Sequence, residues 1–285
     1  MKTISVIVPN YNSGKYIARC LDSLLEQEYQ IKEIIVIDDK STDESIEIAK
    51  KYAQKYDAVK LEINNENRGV SYSRNRGIQI SESEYIMFCD GDDWYEKNAT
   101  KEMINIIEKE NADFVCACYY ITYNENKKIE ITYSNIYDDG EISKKECIAS
   151  LPITSSAKLI KKSLITDNQL EYPENIKNCE ELPIIPLAAY YAKKVVYMNK
   201  CIYNYFQRTN SASNKLIKDL AFFEITYEKF KEKLPNKYNI EIKQRMVEHL
   251  LYSKTMLMIR NKNVKKDIVK NIHYCKEEMK RNKYQ

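Results

Sequence analysis

The sequence predicts an α/β fold with a mainly parallel central sheet, built from stacked βα units and flanked by helices. In the first hundred residues, short apolar runs typical of buried strands alternate with segments whose apolar residues recur at helical spacing. Four of the five glycines lie at or beside the predicted strand-to-helix junctions, at Gly14, Gly69, Gly77 and Gly91. A chain of 285 residues with 44% hydrophobic residues can bury the core of such a sheet.

The elements of the first hundred residues are predicted to alternate along the chain. The strands are 3–8, 33–37, 59–63 and 84–89, and the helices are 15–26, a segment ending near 56, and 70–80. Ser41–Glu44 is predicted to cap the second helix, because such side chains accept hydrogen bonds from free backbone N–H groups.

The second hundred residues have a less regular pattern. A helix near 97–110, strands with hairpin character at 114–123 and 129–133, a helix near 182–192 and strands near 195–198 and 202–206 are expected. From residue 214 to the end the pattern is helical and rich in lysine. We therefore predict a domain at 1–213, divided into halves at 1–95 and 96–213, and a C-terminal helical appendage at 214–285.

Several classes of protein are disfavoured by composition. No apolar run approaches the roughly 20 residues that cross a bilayer, and the first residues lack the pattern of a secretory signal, so we expect a cytoplasmic location. The eight cysteines form no Cys-x-x-Cys pair and are expected to be free thiols. Because both histidines, His249 and His273, come late in the chain, a Ser-His-Asp hydrolase is not expected.

The charge of the chain is uneven. Residues 1–213 carry 27 basic and 33 acidic residues, whereas residues 214–285 carry 18 and 9. Apolar residues at helical spacing lie among the C-terminal lysines, at Met246, Val247, Leu250, Leu251, Leu257 and Met258. Three interpretations stay open: packing on the catalytic domain, peripheral contact with anionic lipid at the inner face of the membrane, or a homodimer interface. No nucleic-acid-binding motif is present, so nucleic acid is not expected as a partner.

Polar segments follow three of the predicted strands. These are Pro9–Asn12, Asp38-Asp39 and Asp90-x-Asp92-Asp93. In open α/β sheets ligands bind beyond the carboxyl ends of the strands, where these carboxylates would repel one another without a cation or a donor-rich ligand. Oxygen ligands of this kind suit Mg²⁺ or Mn²⁺ bridging to phosphate. The alternative is a set of unrelated turn and cap carboxylates.

Four motifs together resemble glycosyltransferase family 2. They are Ser5–Asn12, Val36–Asp43, Asn67–Gly77 and Phe88–Trp94, and they occur in the order and spacing of that family. The resemblance implies the GT-A fold and inverting transfer of a sugar from a nucleotide-sugar donor, with UDP expected as the nucleotide. It implies a hydroxyl of a growing glycan or a lipid-linked molecule as the acceptor. Residues 1–95 would bind the nucleotide and residues 96–213 the acceptor.

The resemblance assigns nucleotide-binding roles to residues of the first half. Pro9 and Tyr11 would border the nucleobase, and Asp39 would accept a hydrogen bond from N3–H of uracil. Asn67 and Arg74 would close the nucleotide pocket. Arg74 also has a plain interpretation as a charge on the surface of a helix.

The resemblance also assigns residues to the sugar-diphosphate. Asp90 would lie near the ribose, Asp92 would be the main metal ligand of a D-x-D motif, and Asp93 would be a further candidate ligand. The expected cation is Mn²⁺ or Mg²⁺, which stabilises the charge of the departing diphosphate. Arg208 would contact phosphate, and the same segment offers further hydroxyl donors at Ser211 and Ser213. A solvated polar loop is the alternative for this segment.

A general base is needed for inversion by direct displacement, because a carboxylate must take the proton of the acceptor hydroxyl. The resemblance points to Glu181 as the base and Glu180 as its neighbour, although the family usually has Asp where this chain has Glu. Pro183 suits the first turn of a helix, where both carboxylates would gain from the helix dipole. Two first-turn glutamates without a chemical role are the alternative, and which of the two is the base stays open.

Lys40 is a departure from the family pattern, because it replaces the glycine that usually follows the acidic pair in this family.

Functions other than glycosyl transfer are less consistent with the sequence. Nucleotidyltransferase and hydride-transfer activities are disfavoured, because no glycine-rich phosphate loop opens the chain. A non-catalytic nucleotide-sugar-binding or scaffold subunit of a polysaccharide assembly system is the alternative to an enzyme.

Overall fold

The computed structural model describes residues 2–124, 127–132, 137–176, 179–208 and 221–260. Over these residues the chain forms a ten-stranded mixed sheet with helices on both faces.

The first half contains four parallel strands in the order β3-β2-β1-β4. The strands are β1 (Ile4–Asn10), β2 (Glu33–Asp38), β3 (Val59–Ile63) and β4 (Tyr85–Phe88). The connecting helices are α1 (Ile17–Leu25), α2 (Ser45–Lys55) and α3 (Val70–Ile80). The predicted alternation of strand and helix is confirmed, and the bounds of β3 and α3 match the prediction.

The second half extends the same sheet in the order β4-β9-β6-β10-β5. Its strands are β5 (Trp94–Tyr95), β6 (Phe114–Asn124), β7 (Lys127–Ile131), β8 (Gly140–Ile142), β9 (Lys158–Lys161) and β10 (Val195–Phe206). Its helices are α4 (Ala99–Glu110), α5 (Lys144–Ala149), α6 (Ser163–Thr166) and α7 (Ile185–Tyr191). The two long strands β6 and β10 pair in parallel, and the shorter strands of this half pair antiparallel.

Strand β10 differs from the prediction of two separate strands. It is continuous from residue 195 to 206, with register shifts against β6 between Met198 and Tyr203. The polar residues Asn199 and Lys200 interrupt the apolar pattern there, which explains why the sequence suggests a break. A bulge lets a strand continue across such an irregularity.

The start of α2 is capped from within the predicted segment Ser41–Glu44, although not by the residue next to the helix. The residue that precedes the helix is Glu44, whose side chain makes no capping hydrogen bond. The carboxylate of Asp43 instead accepts hydrogen bonds from the backbone N–H of Ser45 at 3.0 Å and of Gly14 at 2.8 Å. Asp43 therefore joins the loop after β1 to the beginning of α2.

Apolar side chains cover both faces of the sheet. Val6 and Val8 of β1 lie in one buried cluster with residues of α1, α2 and α4, and Ile7 lies in the second cluster with residues of α3, α5 and α7. A strand that is buried on both sides needs a continuous apolar run, which is the pattern that the sequence of β1 shows.

The C-terminal region contributes helices to the second cluster. They are α8 (Ala221–Lys233) and α9 (Asn239–Arg260), with a short 3-10 helix at Asn236–Tyr238 between them. Phe230 and Ile242 are buried in that cluster, and Met246 packs against it. Packing on the catalytic domain therefore accounts for this part of the region.

Other predictions about the C-terminal region stay untested. The boundary at residue 213 lies outside the described residues, and so do the side chains of Leu250, Leu251, Leu257 and Met258. Contact with lipid and homodimer formation remain predictions. In the described part of the chain, none of the helices combines the length and apolar character that a membrane span requires.

Candidate active site

The candidate site lies at the carboxyl edge of the parallel strands. In the register of the sheet, Pro9 and Asn10 lie beside Ile37 and Asp38 of the neighbouring strand. Pro9 is buried, whereas Tyr11 just beyond it is 48% exposed. The ends of β1, β2 and β4 thus bring three of the predicted polar segments to one edge, as the parallel order requires.

Asp38 is a structural residue at this edge. Its buried carboxylate accepts hydrogen bonds from Asn10 Nδ2 at 2.6 Å and from the backbone N–H and hydroxyl of Ser41 at 2.8 and 2.7 Å. Both oxygens are occupied by groups of the protein. Asp38 therefore fixes the loops after β1 and β2 relative to each other.

Asp39 organises the loop that leads into α3. Its carboxylate accepts hydrogen bonds from the backbone N–H of Arg68 at 2.9 Å and of Gly69 at 2.7 Å, and from Asn64 Nδ2 at 2.8 Å. Asn67 is exposed and donates to the carbonyl of Asp39 at 3.1 Å. The structure thus brings Asp39 and Asn67 together, and their contacts with a nucleotide remain predictions.

Arg74 lies in the middle of three carboxylates. Its Nη1 is 2.7 Å from Glu180 Oε1, and its Nη2 is 3.2 Å from Asp90 Oδ1 and 3.6 Å from Glu181 Oε1. The side chain is only 5% exposed, so the interpretation of Arg74 as a surface charge is wrong. Burial alone would lower the pKa of Arg74, but the surrounding carboxylates raise it well above its usual value.

The two candidate base residues differ in their surroundings. Glu180 is buried, and burial raises the pKa of its carboxyl group although the positive charge of Arg74 opposes this. The side chain of Glu181 is 19% exposed, and its Oε1 accepts a hydrogen bond from the backbone N–H of Ser155 at 2.8 Å. Of the two, Glu181 is the more accessible to an acceptor molecule.

The prediction that these glutamates occupy the first turn of a helix is wrong. Both lie in a turn, and α7 begins only at Ile185, with Pro186 rather than Pro183 in its first positions. The charge of both carboxylates is stabilised by Arg74 rather than by the helix dipole.

Asp92 and Arg208 form an ion pair in this structure, with Arg208 Nε 2.6 Å from Asp92 Oδ2. Burial raises the pKa of Asp92, while the charge of Arg208 acts in the opposite direction. The guanidinium of Arg208 also lies 5.6 Å from the centre of the Tyr16 ring. The predicted metal ligand and the predicted phosphate contact therefore lie next to each other, whereas Ser211 and Ser213 are outside the described residues.

Asp93 does not have the surroundings of a metal ligand. It is 1% exposed, and its carboxylate accepts hydrogen bonds from the backbone N–H of Phe206 at 2.7 Å and from the hydroxyl of Tyr203 at 2.5 Å. Burial and the neighbouring aspartates raise the pKa of Asp93 well above its usual value. Because both oxygens bind β10, Asp93 is a structural residue rather than the further ligand predicted.

Arg19 of α1 supports the same segment and was not predicted. It donates to the carbonyl of Asp92 at 2.8 Å, and its guanidinium carbon lies 3.7 Å from the centre of Trp94 and 4.7 Å from that of Phe206. In the sequence Arg19 is an ordinary helix residue, and only the fold reveals its contact with a segment 73 residues away. In the sequence, the position of Trp94 directly after the aspartates is a local sign that aromatic side chains lie beside this segment.

Some of the residues at this edge suit a hard divalent cation, but they would not complete its coordination alone. Within the residues that the structure describes, no group of three or more Asp, Glu, His or Cys side chains could by itself hold a metal ion. Asp92 and the 37% exposed Asp90 supply carboxylate oxygens of the kind that Mn²⁺ and Mg²⁺ prefer. A cation at this place would need further oxygens from a bound diphosphate.

Comparison with known proteins gives the family of the chain. The model of the family described as "Glycosyl transferase family 2" matches residues 5–167, which is more than half of the sequence. The chain belongs to glycosyl transferase family 2. The resemblance carried by the four sequence motifs is thereby confirmed.

Curated relatives of this family 2 chain have similar sequences but different lengths. The cholesterol galactosyltransferase of Borreliella burgdorferi is 30% identical over 226 residues, which cover 75% of this chain and 62% of the relative. Glycosyltransferase GlyG of Streptococcus pneumoniae is 30% identical over 244 residues, covering 81% and 79%. Glycosyltransferase GlyA of the same organism is 33% identical, but this chain spans only 31% of it.

Solved structures support the fold of this family 2 member. TarS residues 1–349 of S. aureus, in complex with UDP-GlcNAc, superpose with a TM-score of 0.76 at 24% identity, covering 89% of this chain and 74% of TarS. The mannosyltransferase PcManGT of Pyrobaculum calidifontis, in complex with GDP-Man and Mn²⁺, gives a TM-score of 0.63 at 15% identity, covering 90% and 72%. The predicted GT-A fold is confirmed.

Proposed function

We propose that this chain is an inverting glycosyltransferase that moves a sugar, of hexose type, from a UDP-linked donor to an acceptor hydroxyl. The observation that carries the proposal is the cluster at Arg74. There Asp90, from the end of a parallel strand, meets Glu180 and Glu181, which lie 90 and 91 residues further along the chain, at one buried guanidinium. A transferase needs this arrangement, because the donor and the base must lie at the same place.

On the donor side, the nucleobase would lie between Tyr11 and the loop that Asp39 organises. The exposed ring of Tyr11 offers a stacking surface, and the carboxylate of Asp39 would accept from N3–H of uracil with its remaining lone pairs. Pro9 would form the floor of this pocket and Asn67 its outer wall. The complex of TarS with UDP-GlcNAc supports uridine as the nucleoside.

Next to the ribose, Asp90 and Asp92 would hold Mn²⁺ or Mg²⁺ together with the diphosphate. A bound cation of this kind supplies Lewis-acid stabilisation of the departing nucleoside diphosphate. Arg208, which is paired with Asp92 in this structure, would supply a second positive charge to the phosphate oxygens. Arg19 keeps the backbone of Asp92 in place by donating a hydrogen bond to its carbonyl.

On the acceptor side, Glu181 would act as the general base. Its carboxylate would take the proton of the acceptor hydroxyl while that oxygen attacks the anomeric carbon from the face opposite the diphosphate, which inverts the configuration. Glu180 is bound closely to Arg74 and would hold that guanidinium in place. The names of the relatives include a cholesterol galactosyltransferase and poly(ribitol-phosphate) glycosyltransferases. We propose a surface glycan or a lipid-linked molecule as the acceptor of this chain.

The donor site is tested by calorimetric titration of UDP and GDP, with and without Mn²⁺, on wild type and on Asp92→Asn. We expect UDP to bind with Mn²⁺ present and the Asn variant to lose at least about tenfold in affinity, since it loses a charged ligand of the cation. Asp57→Asn, at an exposed acidic residue outside the site, is the matched control and should bind as wild type does.

The other outcomes separate the alternatives. A preference for GDP would change the donor class and keep the site. Absence of binding by either nucleotide to folded protein would contradict the proposed function. A chain that binds UDP but never consumes a UDP-sugar would instead be the non-catalytic binding subunit.

A further inference from the structure

Lys158 is a buried lysine next to the candidate base. It is the first residue of β9, it pairs with Cys116 of β6 in the interior of the sheet, and it is 1% exposed. Burying an ammonium group costs free energy unless polar groups around it compensate for the lost water. The position of this lysine therefore calls for a specific reason.

The ammonium group of Lys158 binds the short loop of residues 154–156. It donates to Thr154 Oγ1 at 3.2 Å and to the carbonyl of Ser156 at 3.4 Å. These two acceptors lie on either side of Ser155, whose backbone N–H donates to Glu181 Oε1 at 2.8 Å. One side chain thus fixes both neighbours of the residue that binds the candidate base.

Two further contacts keep this loop in place. The hydroxyl of Ser155 forms a hydrogen bond of 2.8 Å with the hydroxyl of Tyr172, and the backbone N–H of Ala157 donates to the hydroxyl of Tyr95 at 3.1 Å. Ala157 has a φ of 55°, a left-handed conformation that an alanine rarely adopts without support from its surroundings. The loop is therefore held in a conformation that it would not keep alone.

The positive charge of Lys158 also complements the negative charge of Glu181. Burial lowers the pKa of Lys158, while the nearby Cys116 and Glu181 act in the opposite direction. Because Glu181 is the carboxylate among these neighbours, its negative charge contributes to compensating for the buried ammonium group.

We propose that Lys158 is a positioning residue for the carboxylate of Glu181, acting through the loop of residues 154–156. The inference rests on the proposed function, in which Glu181 is the general base. Glu181 lies between two competing donors, the N–H of Ser155 and the guanidinium of Arg74, which is 3.6 Å away. If the loop relaxes, the carboxylate turns towards Arg74 and away from the acceptor hydroxyl.

The experiment compares Lys158→Met with wild type in steady-state kinetics and UDP titration. Methionine keeps the length of the side chain without a buried charge, so the fold should tolerate it. We expect kcat to fall about 10- to 100-fold, since a displacement of about 1 Å of a reacting group costs up to about that factor. The KM for the donor and the Kd for UDP should stay within about twofold, because the donor residues are untouched.

The matched control is Lys144→Met. Lys144 is also a partly buried lysine whose pKa burial lowers, and it donates to the backbone carbonyls of Tyr190 and Ala192 at the end of α7. It has no contact with the candidate site. We expect the kcat of Lys144→Met to be unchanged. An equal fall of kcat in both variants would mean that removing any buried lysine lowers turnover, which would contradict a specific role of Lys158.

A double-mutant cycle with Glu181→Gln separates this inference from the proposed function. If Lys158 acts through Glu181, then Lys158→Met causes no further loss of the residual turnover of Glu181→Gln. An equal loss in both backgrounds, or an unchanged kcat of Lys158→Met, overturns the inference while Glu181 stays the base. Near-normal turnover of Glu181→Gln instead overturns the assignment of the base itself.

A second variant covers the case in which Lys158→Met does not fold. Thr154→Val keeps the shape of the side chain but removes one acceptor of Lys158. A smaller fall in kcat with unchanged UDP binding is expected, and an unchanged kcat of Thr154→Val overturns the inference.

Discussion

At the scale of single residues, the site depends on one guanidinium shared by three carboxylates. Arg74 can serve them because its planar group presents several donors in fixed directions, which the single ammonium of a lysine cannot imitate. Arg74 binds Glu180 most closely, so Glu181 keeps a weaker contact and remains accessible. The difference between the two glutamates therefore comes from geometry rather than from residue type.

The first prediction tests that difference. Glu181→Gln is expected to lower kcat about 10²- to 10⁴-fold, the usual contribution of a general base, while UDP binding by calorimetry is preserved. Glu180→Gln is the comparison variant. It should mainly lower the unfolding temperature, because it leaves a buried guanidinium with one ion pair fewer. A reversed pattern, with turnover lost only in Glu180→Gln, would assign the base to Glu180.

The sequence predicts residues of the site only where a local motif marks them. Asp39, Asp90 and Asp92 follow strands of a parallel sheet, so their common location follows from the topology alone. The role of Asp93 could not be predicted, because its partner Tyr203 is 110 residues away. Lys158 gives no signal either, since lysines are common and its burial depends on the whole sheet.

At the scale of elements, the close contact between α3 and β1 sets the position of the loop before α3. Gly77, one of the glycines predicted to lie at or beside strand-to-helix junctions, lies inside α3 against Ile7 of β1. A Cβ atom at this position would overlap Ile7 Cγ2. The glycine thus allows the helix to approach the sheet, and through it places Arg74.

The second prediction concerns this contact. Gly77→Ala is expected to lower the free energy of unfolding by about 1–3 kcal/mol, the cost of overpacking a core, despite the better helix propensity of alanine. Gly14→Ala is the matched control, because its Cβ would meet only the flexible, exposed side chain of Glu44. It should change stability by no more than about 0.5 kcal/mol in urea unfolding. Equal effects of the two changes would contradict this account of Gly77.

The elements that the sequence predicts best are long and periodic. The strands and helices of the first half were predicted to within a few residues, because buried strands such as β1 and β2 are continuous apolar runs and the helices between them have two or more turns. The elements β5, β8 and β9 have two to four residues, which is too short for any period to be visible. They form because neighbouring strands present free backbone groups.

At the scale of the whole molecule, α9 is fastened to the second half by a buried arginine. Arg245 is 3% exposed and donates to the carbonyls of Cys147, Ile148 and Leu151 at the end of α5. Burial lowers the pKa of Arg245 to about 10. These carbonyls have no partner within their own helix, so the arginine completes the helix end.

The third prediction follows from this contact. Arg245→Leu should lower the free energy of unfolding by about 1–3 kcal/mol, because buried carbonyls lose their donor. The exposed neighbour Lys243→Gln is the control and should leave stability unchanged. Both are measured by urea unfolding followed by circular dichroism. If the residues after 213 were an independent appendage, the main transition of Arg245→Leu would not move.

The overall fold could be predicted because it depends on patterns that the chain carries locally. How the C-terminal helices associate could not be predicted, since an apolar stripe among lysines fits a core, a membrane surface or a second copy equally well. For the part of the region around Phe230 and Ile242 the structure shows packing on the core, because both side chains are buried against the sheet.

The contact between Arg74 and Glu180 spans 106 residues of sequence, and this has a consequence for how the protein is made. During synthesis the amino-terminal half leaves the ribosome first, with the four motifs of residues 1–95 already present. Glu180 and Glu181, whose carboxylates complete the charge balance of Arg74, are translated later and leave the ribosome after these motifs. With Glu181 as the proposed base, a nascent chain that ends before residue 180 has the four sequence motifs but neither the base nor Arg208, so we expect it to transfer no sugar before its second half has folded onto the first.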